Sequence, residues 1–333
     1  MNKLVMQWLA TLGLLLGLAQ HGWAQVPTVV VHDYPGPGNM LLKVAIDKKL
    51  CEKQGIKCEA RVLPLATQAM QAMMGGLIQV ALVPGDTVIH AAFNGADVKV
   101  IGVGLADPVV FLLGGNHVEW PNQARGYPAV IQDLKGRKVG IPVRGAITEA
   151  HLLAMLREAG LSQSDISLIP VGGPTTGYPA LINKQIDAMV SFEPSSAFCK
   201  AMTTCRMLVD PRKGQGPSFI QKQIGAVLVF AVRADYAAAS ARSVSALSAA
   251  MREAEGFIQN PINREEVLRI ARDNFKPDFT PEVAARIVDT VMTDTIPAYK
   301  FTLNRKALQN TADFMTSSGL LPKAFDTDAL LLK

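Results

Sequence analysis

Short apolar runs rich in β-branched residues alternate with amphipathic stretches through most of this 333-residue chain, and that alternation narrows the folds open to it. Residues 27–32 read as a buried strand. Pro35-Gly36-Pro37-Gly38 makes a turn, and Asn39 then caps a helix from Met40 to about residue 50. A strand at 60–64, a helix at 68–74, a strand at 79–83, a helix at 87–93 and a strand at 98–104 follow. Strands this short and this apolar are covered on both faces. Interleaved with helices, they predict a mainly parallel sheet with helices on either side, an α/β fold.

The middle of the chain repeats the theme, with strands at 138–141, 167–171 and 188–191 and helices at 148–159, ended by Gly160, and at 178–184. Leu63-Pro64-Leu65 leads to Ile78-Gln79-Val80-Ala81 much as Ile169-Pro170-Val171 leads to Ile186-Asp187-Ala188-Met189. Each segment runs strand, polar loop, short helix, strand. Two copies are too few for a solenoid, so the reading is one sheet architecture built twice. From residue 237 onward the period is helical, at 244–258, 267–275, 283–292 and 308–315, with Pro261, Pro277, Pro281 and Pro297 between segments. Helices this amphipathic cover an existing sheet rather than stand alone.

Residues 1–24 read as an export signal. Lys3 is their only charge, residues 4–19 are mostly apolar, and Gly22-Trp23-Ala24 offers small residues for cleavage after Ala24. A transmembrane anchor is the rival reading, but it needs about 20 apolar residues and this run is shorter. No Cys stands near the cut, which argues against a lipid anchor. Without the signal, 32 basic residues face 28 acidic ones, spread along the chain. No basic block of the kind that tracks a phosphate backbone is present, so nucleic acid is not an expected partner. The four Cys suit an oxidising compartment, and Cys51 with Cys58 and Cys199 with Cys205 are the simplest of three pairings; four free thiols are the alternative. Their spacing fits a zinc site poorly, and no metal or cofactor is expected.

The stretch Asp133-Leu134-Lys135-Gly136-Arg137-Lys138-Val139-Gly140-Ile141-Pro142 is followed by Leu156-Arg157-Glu158-Ala159-Gly160-Leu161, Asp165-Ile166, Ala180-Leu181-Ile182, Ile186-Asp187-Ala188 and Glu193-Pro194. This series resembles the substrate-binding proteins of ABC importers for sulfonates, nitrate and thiamine-precursor pyrimidines. The resemblance covers residues 29–321 and is most specific in the middle. It implies a two-lobed type II periplasmic-binding fold with a ligand cleft between lobes. Lobe one would hold residues 26–106 and 228–333, and lobe two 107–227, with crossings at 104–111 and 225–230. Gln79 stands where the family often has Asp, and Arg144 interrupts a loop of small residues, so the ligand is not inherited from any family member.

Ligands of open α/β sheets bind beyond the carboxyl ends of strands. That rule selects Tyr34, Thr67, Gln68, Asp86 and Thr87 from the first half, and Arg144, Ala146, Thr148 and Glu193 from the second. Arg144 precedes a helix N-terminus, whose free amides already favour an anion, and a guanidinium adds bidentate recognition; a solvated Arg or one paired with Glu149 is the plainer role. Thr67, Gln68 and Thr148 offer donors or helix caps. Tyr34 stacks on a flat ligand or fills a wall, Asp86 binds ligand or caps a helix, and Glu193 holds a hinge or a cationic edge.

Catalytic signatures are weak. His32, His90, His117 and His151 form no metal-spaced pair, no Gly-x-Ser-x-Gly elbow occurs, and Gly172-Gly173 lacks the Lys of a phosphate loop. The expectation is therefore a periplasmic, monomeric solute-binding protein and not an enzyme. It is expected to capture a small organic anion, a sulfonate or an aromatic carboxylate, and the resemblance implies that it meets the membrane only through an ABC permease with its cytoplasmic ATPase. A neutral heteroaromatic such as a pyrimidine is the second ligand reading. A pyrimidine-synthase-like enzyme and a sensory ligand-presenting module are the rivals of other classes, and the Cys-rich iron-binding run of such synthases is missing here.

Overall fold

The computed structural model describes residues 26–107 and 110–332; the export-signal expectation falls outside them. In chain order the strands and longer helices are β1 (Thr28–Asp33), α1 (Met40–Asp47), β2 (Lys57–Val62), α2 (Ala66–Met74), β3 (Val80–Pro84), α3 (Gly85–Phe93), β4 (Val98–Leu105), β5 (Phe111–Gly115), β6 (Lys138–Ile141) and α4 (Ile147–Glu158). There follow β7 (Ser167–Pro170), α5 (Pro174–Ile182), β8 (Ala188–Ser191), α6 (Ser195–Met202), β9 (Cys205–Val209), β10 (Leu228–Arg233), α7 (Ala241–Gln259), α8 (Arg264–Asn274), α9 (Pro281–Thr295) and α10 (Arg305–Ser317).

The strands form two sheets, ordered β2-β1-β3-β10-β4 and β7-β6-β8-β5-β9. In the first, β1 lies parallel to β2 and β3, and β10 runs antiparallel between β3 and β4. In the second, β6 lies parallel to β7 and β8, and β5 runs antiparallel between β8 and β9. All but one strand of each sheet therefore run one way, the arrangement that helical crossovers produce. The reversed strand in each is the one by which the chain enters that sheet from the other. The two crossings touch where the Gly225 amide donates to the Ala106 carbonyl at 2.8 Å.

Both faces of the first sheet are covered, and side chains alternate between them. Val80, Leu82, Phe230 and Val232 pack with α1, α7 and α8, while Ala81, Val83, Val229 and Ala231 pack with α2, α3 and α10. In the second sheet Val139, Ile141 and Val190 pack against α4, while Phe111, Leu113 and Met189 face α5 and α6. Helix α9 serves both units. Val288 and Met292 enter the first-sheet core, and Ile287 and Val291, one position earlier each, enter the cluster around Phe111 and Phe198.

Several boundaries differ from the sequence reading. The helix begun at Met40 stops at Asp47 because Lys49 turns left-handed, φ 54°, before a separate turn at Leu50–Lys53. β2 starts at Lys57 because its register pairs Thr28 with Lys57 and Asp33 with Val62, which leaves Pro64 beyond the last partner. α5 begins at Pro174 rather than 178, since proline fits the first helical turn, where its missing N–H is not needed. The sulfurs of Cys51 and Cys58, and of Cys199 and Cys205, lie at bonding distance, with Cα separations of 5.8 and 5.0 Å inside the usual range. Among the described residues no helix is long and apolar enough to cross a membrane.

Candidate ligand site

In a sheet ordered 2-1-3 the chain leaves the central strand in opposite directions on its two sides, and a crevice opens at that switch point. Here the switch points lie between β1 and β3 and between β6 and β8. They bring together the ends of β1 (Asp33, Tyr34) and β3 (Pro84, Asp86), and the ends of β6 (Arg144, Ala146) and β8 (Ser191, Glu193). Thr67 and Gln68 follow β2, off the switch point. They sit exposed in the first turn of α2, whose start carries no side-chain cap, so neither takes the capping role offered by the sequence.

On the first sheet, Tyr34 is half-buried and stands edge-on to His32, with ring centroids 4.4 Å apart. His32 is fully buried and structural, its Nδ1 2.7 Å from the Leu82 carbonyl and its Nε2 3.0 Å from that of Leu63. Asp86 and Thr87 occupy the first turn of α3, after the cap position taken by Pro84. Burial pushes the Asp86 carboxyl up to about 6, against the pull of the amides that open the helix. Its charge also reaches the Tyr34 phenol, which is raised above its ordinary value, first by burial and then by Asp86. The Asp86 carboxylate therefore lies close enough for its charge to act on the Tyr34 phenol.

On the second sheet, Arg144 is half-exposed and its NH1 lies 3.2 Å from Glu149 Oε1. Glu149 also accepts from the Gly145 amide at 2.6 Å, so the carboxylate fastens the loop and takes the guanidinium with it. The plainer of the two roles open to Arg144 is the one the geometry provides. Ala146 holds the cap position of α4 in extended conformation and has no side-chain oxygen to offer. Thr148 caps nothing: its Oγ1 is buried and without a hydrogen-bond partner. Glu193 is fully engaged, accepting from Arg212 NH1 at 2.6 Å, from the Ala197 amide at 3.3 Å and from Ser196 Oγ. Its carboxyl is raised by burial against the pull of Arg212.

The sequence reading missed the frame around these groups. Lys43 Nζ reaches both carboxylate oxygens of Asp33 at 2.5 Å, with both side chains buried. Tyr299 donates to the Pro37 carbonyl at 2.7 Å and feels the charges of both Glu193 and Asp33, which places acids of the two sheets around one phenol. Arg212, in the short turn after β9, also grips Asp210 at 2.8 and 3.0 Å, lies 3.6 Å from Asp294 of α9 and stands over the Phe111 ring. Pairs this far apart in sequence carry no local signal.

Comparison with known proteins matches this arrangement to one family. The family model described as NMT1/THI5 like matches residues 39–261, more than half of the chain. Brucella abortus proteins provisionally named binding proteins are 28% identical over 152 residues, 45% of this chain and 43% of theirs, so the match spans under half the length of these relatives. A Haemophilus influenzae protein provisionally named for thiamine biosynthesis is 23% identical across 97% of this chain and 96% of its own. The fold is that of periplasmic binding proteins. The aliphatic sulphonate-binding protein of Escherichia coli superposes with a TM-score of 0.72 at 20% identity over 92% of each chain. The nitrate-binding protein of Synechocystis does so at 0.64 and 16% identity, over 92% of this chain and 85% of that one. The chain belongs to the NMT1/THI5-like family.

Proposed function

We propose that this protein is an exported, periplasmic solute-binding protein that captures a small organic molecule between its two sheets and hands it to an ABC permease. The observation that supports the reading is that acids at strand ends of both sheets, Asp33 of β1 and Glu193 beyond β8, act on the one Tyr299 phenol. The two sheets then act as lobes of roughly 26–106 with 228–333 and of 107–227, working as a monomer and closing on the ligand about the crossings.

Two ligand classes compete, and the site favours the second. A small organic anion rests on the amides opening α4. Against it, Arg144 is committed to Glu149. A flat heteroaromatic with an amino edge, such as a pyrimidine, rests on Tyr34 as a stacking face and Asp86 as the acceptor for that edge. Such binding weakens as pH falls below about 6, where Asp86 loses its charge.

A thermal-shift screen of the protein lacking residues 1–24 separates these readings. Aminopyrimidines, sulfonates, aromatic carboxylates and nitrate are the probes. A true ligand stabilises by roughly 2.7 kcal/mol at a hundredfold excess over its Kd. The heteroaromatic reading expects a shift with aminopyrimidines that Asp86→Asn abolishes. A shift with anions alone, unaffected by that substitution, overturns it. Recovery of the bound molecule chemically changed would replace the binding role with an enzymatic one.

A further inference from the structure

His151 sits mid-way along α4, 4% exposed. Its ring centroid lies 5.4 Å from that of Phe219 and 5.3 Å from that of Phe314, and those two rings stack on each other at 4.1 Å with planes 5° apart. With Ala150 and Ala154 the rings form a small cluster separate from the sheet cores. This cluster is a seam between the two units. α4 belongs to the second through Leu152, Met155 and Leu156, while α10, which carries Phe314, is anchored to the first through Ala307, Leu308 and Ala312.

Neither ring nitrogen of His151 has a hydrogen-bond partner, and both are sealed from solvent, as is the Nε2 of the neighbouring Gln223. A water needs room and polar partners, and a sealed atom offers it no room. The seam is therefore no ligand pocket; it is a dry aromatic contact that tolerates a neutral imidazole and penalises an imidazolium.

We propose that this contact is a proton-sensitive latch between the two units: neutral His151 holds α4 to α10, and protonation of the ring releases them. The latch bears on solute capture if the units part during it, and in that respect alone it rests on the function proposed above.

The surroundings isolate the ring as the titrating group. On α4 itself, Glu149 is tied to Arg144 and the Gly145 amide, one turn before the ring. Arg157 and Glu158 of α4, Lys222 before the return crossing and Asp313 of α10 line an open groove of about 520 Å³ whose wall includes the outer edges of Ala154, Phe219 and Phe314, a route for water once the contact loosens. Burial pushes the imidazole down to about 4, and the nearby Gln223 side chain does not reach hydrogen-bonding geometry with either ring nitrogen. In the parted state the ring regains its ordinary value near 6.5. The contact is thus at full strength above pH 6.5 and is lost progressively as pH falls toward 4. Between pH 7 and pH 5 the closed-to-open ratio drops about 20-fold.

A thiol at Ala150, 7% exposed within the seam and not part of the groove wall, reads this opening directly. The native cysteines lie in pairs, so Ala150→Cys supplies the reactive group. Its reaction with a pyridyl disulfide is measured without any solute, at pH 7 and pH 5. Each rate is divided by the rate for the urea-unfolded protein at the same pH, which cancels the thiol's own ionisation. The latch predicts an increase of about 20-fold in relative accessibility at pH 5. The same reporter in His151→Phe, and in His151→Gln should the first fail to fold, stays flat. An unchanged accessibility in the parent reporter, or an equal rise in both His151 variants, overturns the proposal. So does a rise accompanied by exposure of Trp120, buried in the second core, since that is unfolding rather than unlatching. Because no solute is added, the latch and the solute-binding reading stand or fall separately.

Discussion

Lys43→Met strikes the group that positions the first-sheet side of the site. Lys43 Nζ lies 2.5 Å from both oxygens of Asp33, and the two side chains are 4% and 6% exposed. Burial pushes the Asp33 carboxyl up and the Lys43 amine down, and the contact holds each against that pressure. Removing the amine leaves a buried carboxylate uncompensated, a loss of about 3–5 kcal/mol in unfolding free energy. The carboxyl has one escape, which is to bind a proton. Its folded pKa then lies above its unfolded value, so the variant is most stable at low pH and loses stability as pH rises through the folded pKa. Urea titrations of the ligand-free protein at pH 5 and pH 8 should show the larger loss at pH 8. Replacing both partners, Lys43→Met with Asp33→Leu, should recover much of it, because no charge remains to be desolvated. A loss below about 1 kcal/mol, the same loss at both pH values, or a double variant as unstable as the single one would refute the reasoning. Tyr34 follows Asp33 directly, so affinity for a stacked ligand should fall in the single variant too.

Opening the Cys51–Cys58 loop with paired serines should cost about 2–3 kcal/mol from chain entropy alone, and the similarly short Cys199–Cys205 loop a like amount, both read as denaturant midpoints against the oxidised protein. Thr148→Val removes a buried hydroxyl that has no partner, so stability should hold or rise by about 1 kcal/mol; if ligand affinity also holds, the hydroxyl plays no part in recognition.

Much of the fold was legible because periodicity and punctuation are local. β6 and β8 have the bounds read for them, 138–141 and 188–191, since each is a short apolar run closed by a turn or a polar residue. Helix ends slipped where no glycine or proline marks them: Lys49 takes a left-handed conformation that its type does not advertise. The site was legible as a set of loops but not as a set of roles. Arg144 and Glu149 stand five apart, and sequence can only offer their pairing beside the anion role; the loop fold brings the two together. Glu193 was selected by position, yet the residue that occupies it, Arg212, lies in an irregular connection with no periodic signal. The double allegiance of α9 is written in adjacent apolar stripes, Ile287 and Val291 beside Val288 and Met292, but a wide stripe reads the same whether it meets one core or two.

In the proposed site the two sides differ in polarity, and that difference bears on how capture and closure are coupled. The first sheet offers an aromatic face and an acceptor, Tyr34 and Asp86, while the second offers donors, the opening amides of α4. On the proposed reading, a ligand that only accepts satisfies the second sheet and leaves Asp86 to be desolvated without compensation when the units close. A ligand that only donates does the reverse. A molecule with an amino edge and a ring nitrogen or carbonyl opposite it satisfies both, so closure is favourable for that class alone. Selectivity then arises from the penalty that the unmatched side imposes on closing. Committing Arg144 to Glu149 fits that scheme, because a free guanidinium at the second sheet would let a simple anion offset the penalty by itself.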